Sequence, residues 1–320
     1  MTDANVSYAT APPSVGNMAV GFDVLGHALD APGDQVRATR TSTPGLVTMG
    51  AVSGCVSELP SNPLKNTAGA GVVELLASQN ADFGVCIDVH KGVALGSGMG
   101  GSASSAVASV VAANALLPKP LPHASLLSYA LTGEQVASGC IHGDNVAPSL
   151  LGGIVFVSPR DPQHCYSVPV PDGLHCVLVR PKIRLDTALG RSLLSDTILL
   201  HDAVTQSAHF GRLLIACFNN DIEALGGALS DVLVEPQRSH QIDGFSEFKE
   251  KALEYGALGF SLSGSGPSMV AWVRAADLDA VRDTVCEAVS DIYDVDYQCV
   301  SSTVNAPGAR MIDSGEWLGV

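Results

Sequence analysis

Four glycines lie within six positions in residues 96–101. They follow a short apolar segment and come directly before residues 102–117, which contain no helix breaker and read as an α-helix. Glycine lets backbone N–H groups approach a bound group closely, and the helix N-terminus behind them adds partial positive charge. The pattern therefore predicts an anion-binding loop in preference to a flexible connection.

Two common types of phosphate-binding loop need residues that this sequence lacks. A Walker A loop needs a lysine followed by Ser or Thr, and residues 92–118 contain no lysine. The glycines also fit a dinucleotide-binding GxGxxG pattern, but that fold needs an acidic residue about twenty positions later. Residues 92–133 contain no Asp or Glu. Both of these common loop types are thus disfavoured.

A phosphate-binding loop without a lysine needs a metal ion, and therefore a carboxylate nearby. Glu134 is the candidate, because it continues the apolar stripe of Leu127, Ala130 and Leu131 on a predicted helix. An inward carboxylate is costly unless it is paired or bound to a metal ion. On spacing alone, an exposed glutamate near a helix end is equally consistent with the pattern.

Two polar clusters flank this region in the sequence. Residues 12–26 read as a loop that carries Asn17 and Asp23 between small residues, and residues 142–148 join polar and flexible positions ahead of an apolar run. Taken alone, either pattern is typical of a turn at least as often as of a site.

The elements that must position these residues mix strands and helices. Alternating or continuous apolar runs predict strands at residues 85–89, 153–157, 176–179 and 269–273. Helical patterns cover residues 102–117, 124–139, 192–234 and 277–292. In the last of these, Asp277 is the predicted N-cap. The mixture predicts an α+β protein.

The length of 320 residues favours two domains. Residues 158–162 are charged and contain two prolines, so they are the best candidate for a linker. We therefore expect an N-terminal domain over residues 1–160, which carries the glycine-rich loop, and a C-terminal domain over residues 161–320.

Composition limits the partners and the location. A formal net charge of −15 repels nucleic acid and anionic membrane surfaces, so neither is an expected partner. The first residues lack the features of a signal peptide and no apolar run is long enough to cross a bilayer, which predicts a cytoplasmic protein. The eight cysteines form no CxxC pair, so neither a zinc site nor a disulfide framework is indicated.

Four blocks of sequence together resemble the GHMP small-molecule kinases, the superfamily that includes galactokinase, mevalonate kinase and homoserine kinase. The blocks are residues 17–26, 96–105, 142–148 and 259–268. The glycine-rich block marks the superfamily. Gly-Phe-Asp-Val-Leu-Gly at residues 21–26 and His-Gly-Asp-Asn-Val-Ala-Pro at residues 142–148 are most similar to the branch that phosphorylates homoserine.

The resemblance implies a role for individual residues. ATP would contact Asn66, Gly96, Ser97, Gly98, Met99, Gly100, Gly101, Ser102 and Ala103. Mg²⁺ would be bound by Ser102 and Glu134. The amino-acid substrate would be surrounded by Asn17, Asp23, His142, Asn145, Arg191 and Arg238, with Arg184 as an alternative to Arg191 for the carboxylate. Asp144 and Thr187 would be the catalytic residues, although no general base is assigned between them.

The resemblance also implies a two-domain GHMP kinase fold, with a ribosomal-protein-S5-like N-terminal domain and a ferredoxin-like C-terminal domain. The implied reaction transfers the γ-phosphate of ATP to the hydroxyl of L-homoserine, a step toward threonine, with a homodimer as the possible assembly. Two alternatives stay open: a GHMP kinase for mevalonate or a sugar, and a nucleotide-binding module without turnover. The presence of both Ser102 and Glu134 disfavours the module, since a protein that only binds nucleotide has less need of both.

Overall fold

The structure, a computed structural model, describes residues 5–139, 143–183, 185 and 187–320. The strands are β1 (Val6–Ala11), β2 (Ser14–Gly16), β3 (Leu25–Ala28), β4 (Asp34–Thr41), β5 (Val47–Gly54), β6 (Gly84–Lys91), β7 (Ile154–Ser158), β8 (Asp161–Val168), β9 (Leu174–Pro181), β10 (Gly259–Leu262), β11 (Met269–Arg274), β12 (Tyr297–Thr303) and β13 (Arg310–Met311).

The helices are α1 (Thr67–Ser78), α2 (Gly101–Ala115), α3 (Leu127–Ser138), α4 (Gly143–Leu151), α5 (Thr187–Ser192), α6 (Leu200–Phe218), α7 (Glu235–Arg238), α8 (Phe245–Glu254) and α9 (Leu278–Ile292). Single turns of 3₁₀ helix lie at Pro63–Lys65, His123–Leu126, Glu223–Leu225, Ser239–Gln241 and Ala275–Asp277. In the described part of the chain, no helix is both long and apolar enough to cross a membrane.

A five-stranded sheet with the order β13-β1-β4-β6-β5 forms the base of the N-terminal half. All its strand pairs are antiparallel except β5 with β6. The alternating residues Val85, Ile87 and Val89 on β6 are buried in one core with the apolar residues of α1 and α2. The sheet therefore supports α2, whose first turn ends the glycine-rich loop.

Two four-stranded antiparallel sheets complete the fold, with the orders β2-β3-β7-β8 and β10-β11-β9-β12. The first of them shares a core with α6 and with one face of the second. The opposite face of the second sheet packs against α8 and α9. This layered arrangement of mixed strands and helices confirms the α+β prediction.

Most predicted elements are present, but two predictions about segments are wrong. The four predicted strands appear as β6, β7, β9 and β11. Residues 158–162 are not a linker, because they form the turn of the β7–β8 hairpin, in which Ser158 pairs with Asp161. The helix predicted for residues 192–234 is confirmed only for α6. The division of the chain near residue 160 stays a prediction.

Asp277 is also not the helix cap that the sequence predicts. It occupies the N-cap position of α9, but its side chain makes no capping hydrogen bond. The carboxylate instead accepts a hydrogen bond of 3.1 Å from Arg274. The nearby guanidinium thus replaces the backbone N–H groups as the partner of this acid.

Candidate active site

The glycine-rich loop joins β6 to α2 in a conformation that depends on its glycines. Gly96, Gly98 and Gly100 have φ angles of 62°, 75° and 63°, a region that residues with a side chain rarely adopt. A Cβ atom on Gly98 would lie 2.7 Å from the carbonyl oxygen of Ser263 and 2.8 Å from that of Gly266. The loop leads directly into the N-terminus of α2, which gives it the backbone geometry of an anion-binding site.

The turn between β10 and β11, in the C-terminal half of the chain, donates two side-chain hydrogen bonds to this loop. The hydroxyl of Ser263 donates a hydrogen bond of 2.6 Å to the carbonyl oxygen of Gly98. The hydroxyl of Ser268 donates one of 2.7 Å to that of Ser97. The sequence pointed to this block only through its resemblance, and the structure shows that it contacts the glycine-rich loop directly.

Ser102 and Glu134 lie next to each other, on α2 and α3. The Ser102 hydroxyl donates a hydrogen bond of 2.9 Å to Glu134 Oε1. Glu134 is only 8% exposed, so it points inward and is not a surface residue. Burial raises the pKa of Glu134 to about 7, against the opposing hydrogen bond from Ser102, and the negative charge of Asp144 raises it further.

Asp144 lies in the first turn of α4 and faces the loop of residues 17–26. The Asn17 backbone N–H donates a hydrogen bond of 3.2 Å to Asp144 Oδ2. Burial, followed by the charge of Asp23, raises the pKa of Asp144 to about 7. The next residue, Asn145, accepts a hydrogen bond of 2.9 Å from the hydroxyl of Ser14. Two polar clusters that are more than 120 residues apart in sequence thus meet in one place.

A left-handed turn positions the polar side chains of the 17–26 loop. Asn17, Met18 and Ala19 have φ angles of 72°, 40° and 58°, and Asp23 has one of 60°. The Asn17 amide donates a hydrogen bond of 3.0 Å to the Gly264 carbonyl oxygen and accepts one of 3.1 Å from the Asp23 N–H. Non-glycine residues rarely occupy this region except where the surrounding structure imposes it, often at functional sites.

Two arginines lie over the same aromatic ring beside this loop. Arg191 on α5 forms an ion pair with Asp23, and Arg238 on α7 donates a hydrogen bond of 2.8 Å to the Gly190 carbonyl oxygen. Their guanidinium carbons lie 5.5 Å and 5.2 Å from the centre of the Phe22 ring. Burial, followed by the charge of Arg191, lowers the pKa of Arg238. The guanidinium groups of Arg191 and Arg238 therefore lie in one region with the carboxylate of Asp23.

The remaining predicted residues are placed as follows. Asn66 is buried at the N-cap of α1, where its side-chain oxygen accepts a hydrogen bond of 3.0 Å from the Ala68 N–H. Thr187 begins α5, but its side chain lies outside the described part of the structure. His142 and Arg184 also lie outside the described residues. Their predicted roles, like that of Asn66 near adenine, stay predictions.

Sequence reasoning missed Phe22, which contacts both arginines. The available signal was its position beside Asp23, where an aromatic ring interrupts small and acidic residues. The two guanidiniums come from residues more than 160 positions away, so their approach to the ring cannot be read from local sequence.

Comparison with known proteins gives consistent matches over nearly the whole chain. The family model described as GHMP kinases N terminal domain matches residues 66–153, and the one described as GHMP kinases C terminal matches residues 213–291. Homoserine kinase of Xylella fastidiosa (strain M12) is 40% identical over 309 residues, which are 97% of this chain and 95% of that protein.

Two further matches agree with these. Homoserine kinase of Xanthomonas campestris pv. campestris (strain B100) is 40% identical over 304 residues, 95% of this chain and 93% of the relative. The crystal structure of homoserine kinase from Cytophaga hutchinsonii ATCC 33406 superposes with a TM-score of 0.92 at 35% identity, with 98% of each chain covered.

Proposed function

The chain belongs to the GHMP kinase family, in its homoserine kinase branch, and on this basis we propose that it transfers the γ-phosphate of ATP to the hydroxyl of L-homoserine. The products are ADP and O-phospho-L-homoserine. The substrate is a small molecule that carries one carboxylate and one ammonium group, and the recognition of these two charges supports the choice of homoserine within the family.

The observation that carries the proposal is one turn that contacts both parts of the site. Ser263 binds the carbonyl oxygen of Gly98 in the glycine-rich loop. The next residue, Gly264, accepts a hydrogen bond of 3.0 Å from Asn17 through its carbonyl oxygen, and Arg238 approaches the same oxygen at 3.5 Å. A phosphate group bound in the loop would therefore lie beside the region of Asp23 and the two arginines.

The charged residues match a zwitterionic substrate. A guanidinium group pairs with a carboxylate through parallel hydrogen bonds, so Arg238 and Arg191 suit the carboxylate of homoserine. Asp23 suits its ammonium group, and Asn17 and Asn145 supply polar contacts beside it. A sugar needs neither charge, and mevalonate needs only the cation.

Mg²⁺ fits the residues beside the glycine-rich loop. Within the described residues, no group of three or more His, Cys, Asp or Glu side chains could hold a metal ion. Mg²⁺ that is shared with ATP commonly needs only one or two protein carboxylates together with phosphate oxygens and water. Glu134, with the Ser102 hydroxyl 2.9 Å away, meets that requirement. The ion would neutralise charge on the transferred phosphate.

Catalysis in this site relies on positioning and on charge stabilisation. The backbone N–H groups of the loop and the N-terminus of α2 stabilise the phosphates, and the arginine region orients the acceptor hydroxyl. Asp144 has a pKa of about 7, which suits a group that orients the hydroxyl and accepts its proton near neutral pH. Thr187 and His142 remain candidates for further contacts, and assembly into a homodimer remains a prediction.

The test is ADP release with ATP and Mg²⁺ against a panel of acceptors. The panel contains L-homoserine, L-serine, mevalonate and galactose, together with 4-hydroxybutyrate and 3-aminopropanol, which each lack one charged group of homoserine. We expect the highest kcat/KM for homoserine and a large loss for both truncated analogues, because each lacks one of the two charged groups that the site recognises. A higher kcat/KM for mevalonate or galactose would contradict the proposal, as would nucleotide binding without turnover of any acceptor.

A further inference from the structure

Gln206 joins two segments of the site although it is not part of the reacting groups. It lies on α6 and is 8% exposed. Its side-chain nitrogen donates hydrogen bonds of 3.1 Å to the carbonyl oxygen of Val20 and 2.9 Å to Asp231 Oδ1. Its side-chain oxygen accepts a hydrogen bond of 3.0 Å from the Val232 N–H. The side-chain amide thus uses both its nitrogen and its oxygen, and it joins the segment at Val20 to the segment at residues 231–232.

The first of these segments is the loop that carries Asn17 and Asp23. Val20 directly follows the residues with positive φ, and this left-handed turn is costly for residues other than glycine. Such a turn persists only when surrounding contacts determine it. The hydrogen bond from Gln206 to the Val20 carbonyl oxygen is a contact of this kind, since it comes from 186 residues further along the chain.

The second segment carries Arg238 through a short helix that is capped by Asp231. Asp231 Oδ1 accepts a hydrogen bond of 2.9 Å from the Leu233 N–H, and Oδ2 accepts one of 2.7 Å from the Glu235 N–H. The N-cap residue of α7, Val234, makes no capping hydrogen bond through its side chain. The position of α7, and with it that of Arg238, therefore depends on Asp231.

We propose that Gln206 is a positioning residue that sets the spacing between the two walls of the amino-acid pocket. One wall is the 17–26 loop with Asp23, and the other is α7 with Arg238. This inference rests on the proposed function, because the substrate must bridge an anion and a cation at a fixed separation. An amide suits the task because it donates to two oxygens and accepts from one N–H at the same time.

The experiment compares steady-state kinetics of Gln206→Met with the wild type. Methionine has a similar length and volume but none of the three hydrogen bonds. We expect the KM for homoserine to rise about tenfold or more, because buried partners lose their hydrogen bonds, while the KM for ATP stays within about twofold. Gln206→Glu should have a similar effect, since it loses both donors and brings a second carboxylate to Asp231. Ser207→Ala, on the exposed side of the same helix, is the matched control.

A double-mutant cycle separates positioning from general stability. If Gln206 acts through Arg238, then Gln206→Met changes the KM for homoserine much less in an Arg238→Leu background than in the wild type. Equal effects in both backgrounds would overturn the inference, and so would a parallel rise in the KM values for ATP and homoserine. Wild-type protein that does not phosphorylate homoserine would overturn the proposed function and this inference together. Wild-type turnover with an unchanged KM in both Gln206 variants would overturn the inference alone.

Discussion

Glu134 is a buried acid whose charge is controlled by its surroundings. Its pKa of about 7 means that the ligand-free protein holds a proton there below neutral pH. A metal ion must displace that proton, so acid should weaken the binding of Mg²⁺ with ATP. The side chain thus connects the burial of one helix face to the pH dependence of nucleotide binding.

We predict that Glu134→Gln keeps the fold but lowers kcat by roughly 100-fold, because the metal ion loses an anionic ligand. In the wild type, the Kd for ATP with Mg²⁺ should rise as the pH falls below 7, by up to about tenfold per pH unit. Calorimetric titration at pH 6, 7 and 8 measures this rise. In the glutamine variant, the Kd should rise less between pH 8 and pH 6, because position 134 no longer titrates. Glu254→Gln, on the exposed end of α8, is the control. Normal turnover in the Glu134 variant would make this residue structural.

We predict that Arg238→Leu raises the KM for homoserine at least about 30-fold, since the loss of one partner from a buried charged pair costs roughly 2–5 kcal/mol. The KM for ATP should change little, because Arg238 lies outside the glycine-rich loop. Arg282→Leu on the surface of α9 should leave both constants unchanged. A variant that loses only thermal stability would show that Arg238 serves the fold and not the substrate.

At the scale of residues, local sequence singled out Asn17 and Asp23, and the cluster that contains Asp144, as polar positions between apolar or small residues. Their assignment to one site came from the family resemblance and not from these patterns alone. Phe22 and Gln206 could not be identified in this way. The arginines over Phe22 and the Val20 carbonyl oxygen bound by Gln206 lie more than 160 residues away in sequence, and only the folded chain brings them together.

The conformation of the glycine-rich loop depends more clearly on its residue types than that of any other element discussed above. Gly98 combines a positive φ with carbonyl oxygens on the side where a Cβ would lie. Gly45 has a similar φ of 68°, but apart from its chain neighbours no residue has an atom within 4 Å of an added Cβ. An alanine at Gly45 would therefore meet only the unfavourable backbone conformation, whereas an alanine at Gly98 would also meet a steric clash.

We predict that Gly98→Ala raises the Kd for ATP at least about tenfold, because the loop must move away from the turn of residues 263–266 or lose its conformation. Gly45→Ala should cost about 1 kcal/mol of folding free energy through its backbone alone and should leave ATP binding unchanged. Calorimetry gives the affinities and urea titration gives the stabilities. Equal ATP affinities in both variants would contradict the assigned role of the loop.

At the scale of elements, periodic patterns predicted correctly where a strand or helix is regular. The strands β6, β9 and β11 and the helices α2 and α9 have continuous or periodic apolar residues that report their burial. Residues 158–162 misled the prediction because two prolines and two charges are typical both of a linker and of a hairpin turn. A linker and a hairpin turn differ in whether the next strand, β8, pairs with β7. The composition of residues 158–162 carries no information about that pairing.

The whole molecule joins its halves through buried polar contacts as well as apolar ones. His27 on β3 is fully buried and accepts a hydrogen bond of 3.1 Å from the Trp272 indole N–H on β11. Its other ring nitrogen lies 2.9 Å from the Ala28 carbonyl oxygen and donates to it. The hydrogen bond from Trp272 requires the neutral imidazole, because a protonated ring has no free nitrogen lone pair to accept it, and burial lowers the pKa of His27 to about 4.

We predict that His27 makes the fold sensitive to acid. The folded pKa lies below the ordinary value of 6.5, so its contribution is present above pH 6.5 and is lost as the pH falls toward 4. The full loss is about 3 kcal/mol. Urea titration should show that the free energy of unfolding falls less steeply over this range in His27→Gln than in the wild type. Glu134 and Asp144 titrate in both proteins and cancel in the difference, so identical slopes would contradict the prediction.

Neither half of the chain contains the whole candidate site. The glycine-rich loop comes from the N-terminal half, whereas Ser263, Arg191 and Arg238 come from the C-terminal half. Sequence motifs indicated this division of roles through the family resemblance. The contacts that join the halves depend on how the sheets pack, and this packing has no local signature in the sequence.

The most direct test of the central claim follows the phosphate itself. The protein is incubated with ATP, Mg²⁺ and L-homoserine, and the phosphorus species are followed by ³¹P NMR. We predict a phosphomonoester signal that matches O-phospho-L-homoserine and that grows in equal amount with ADP. Formation of inorganic phosphate in place of the ester, or ATP that stays intact, would contradict the assignment of this site as one that phosphorylates homoserine.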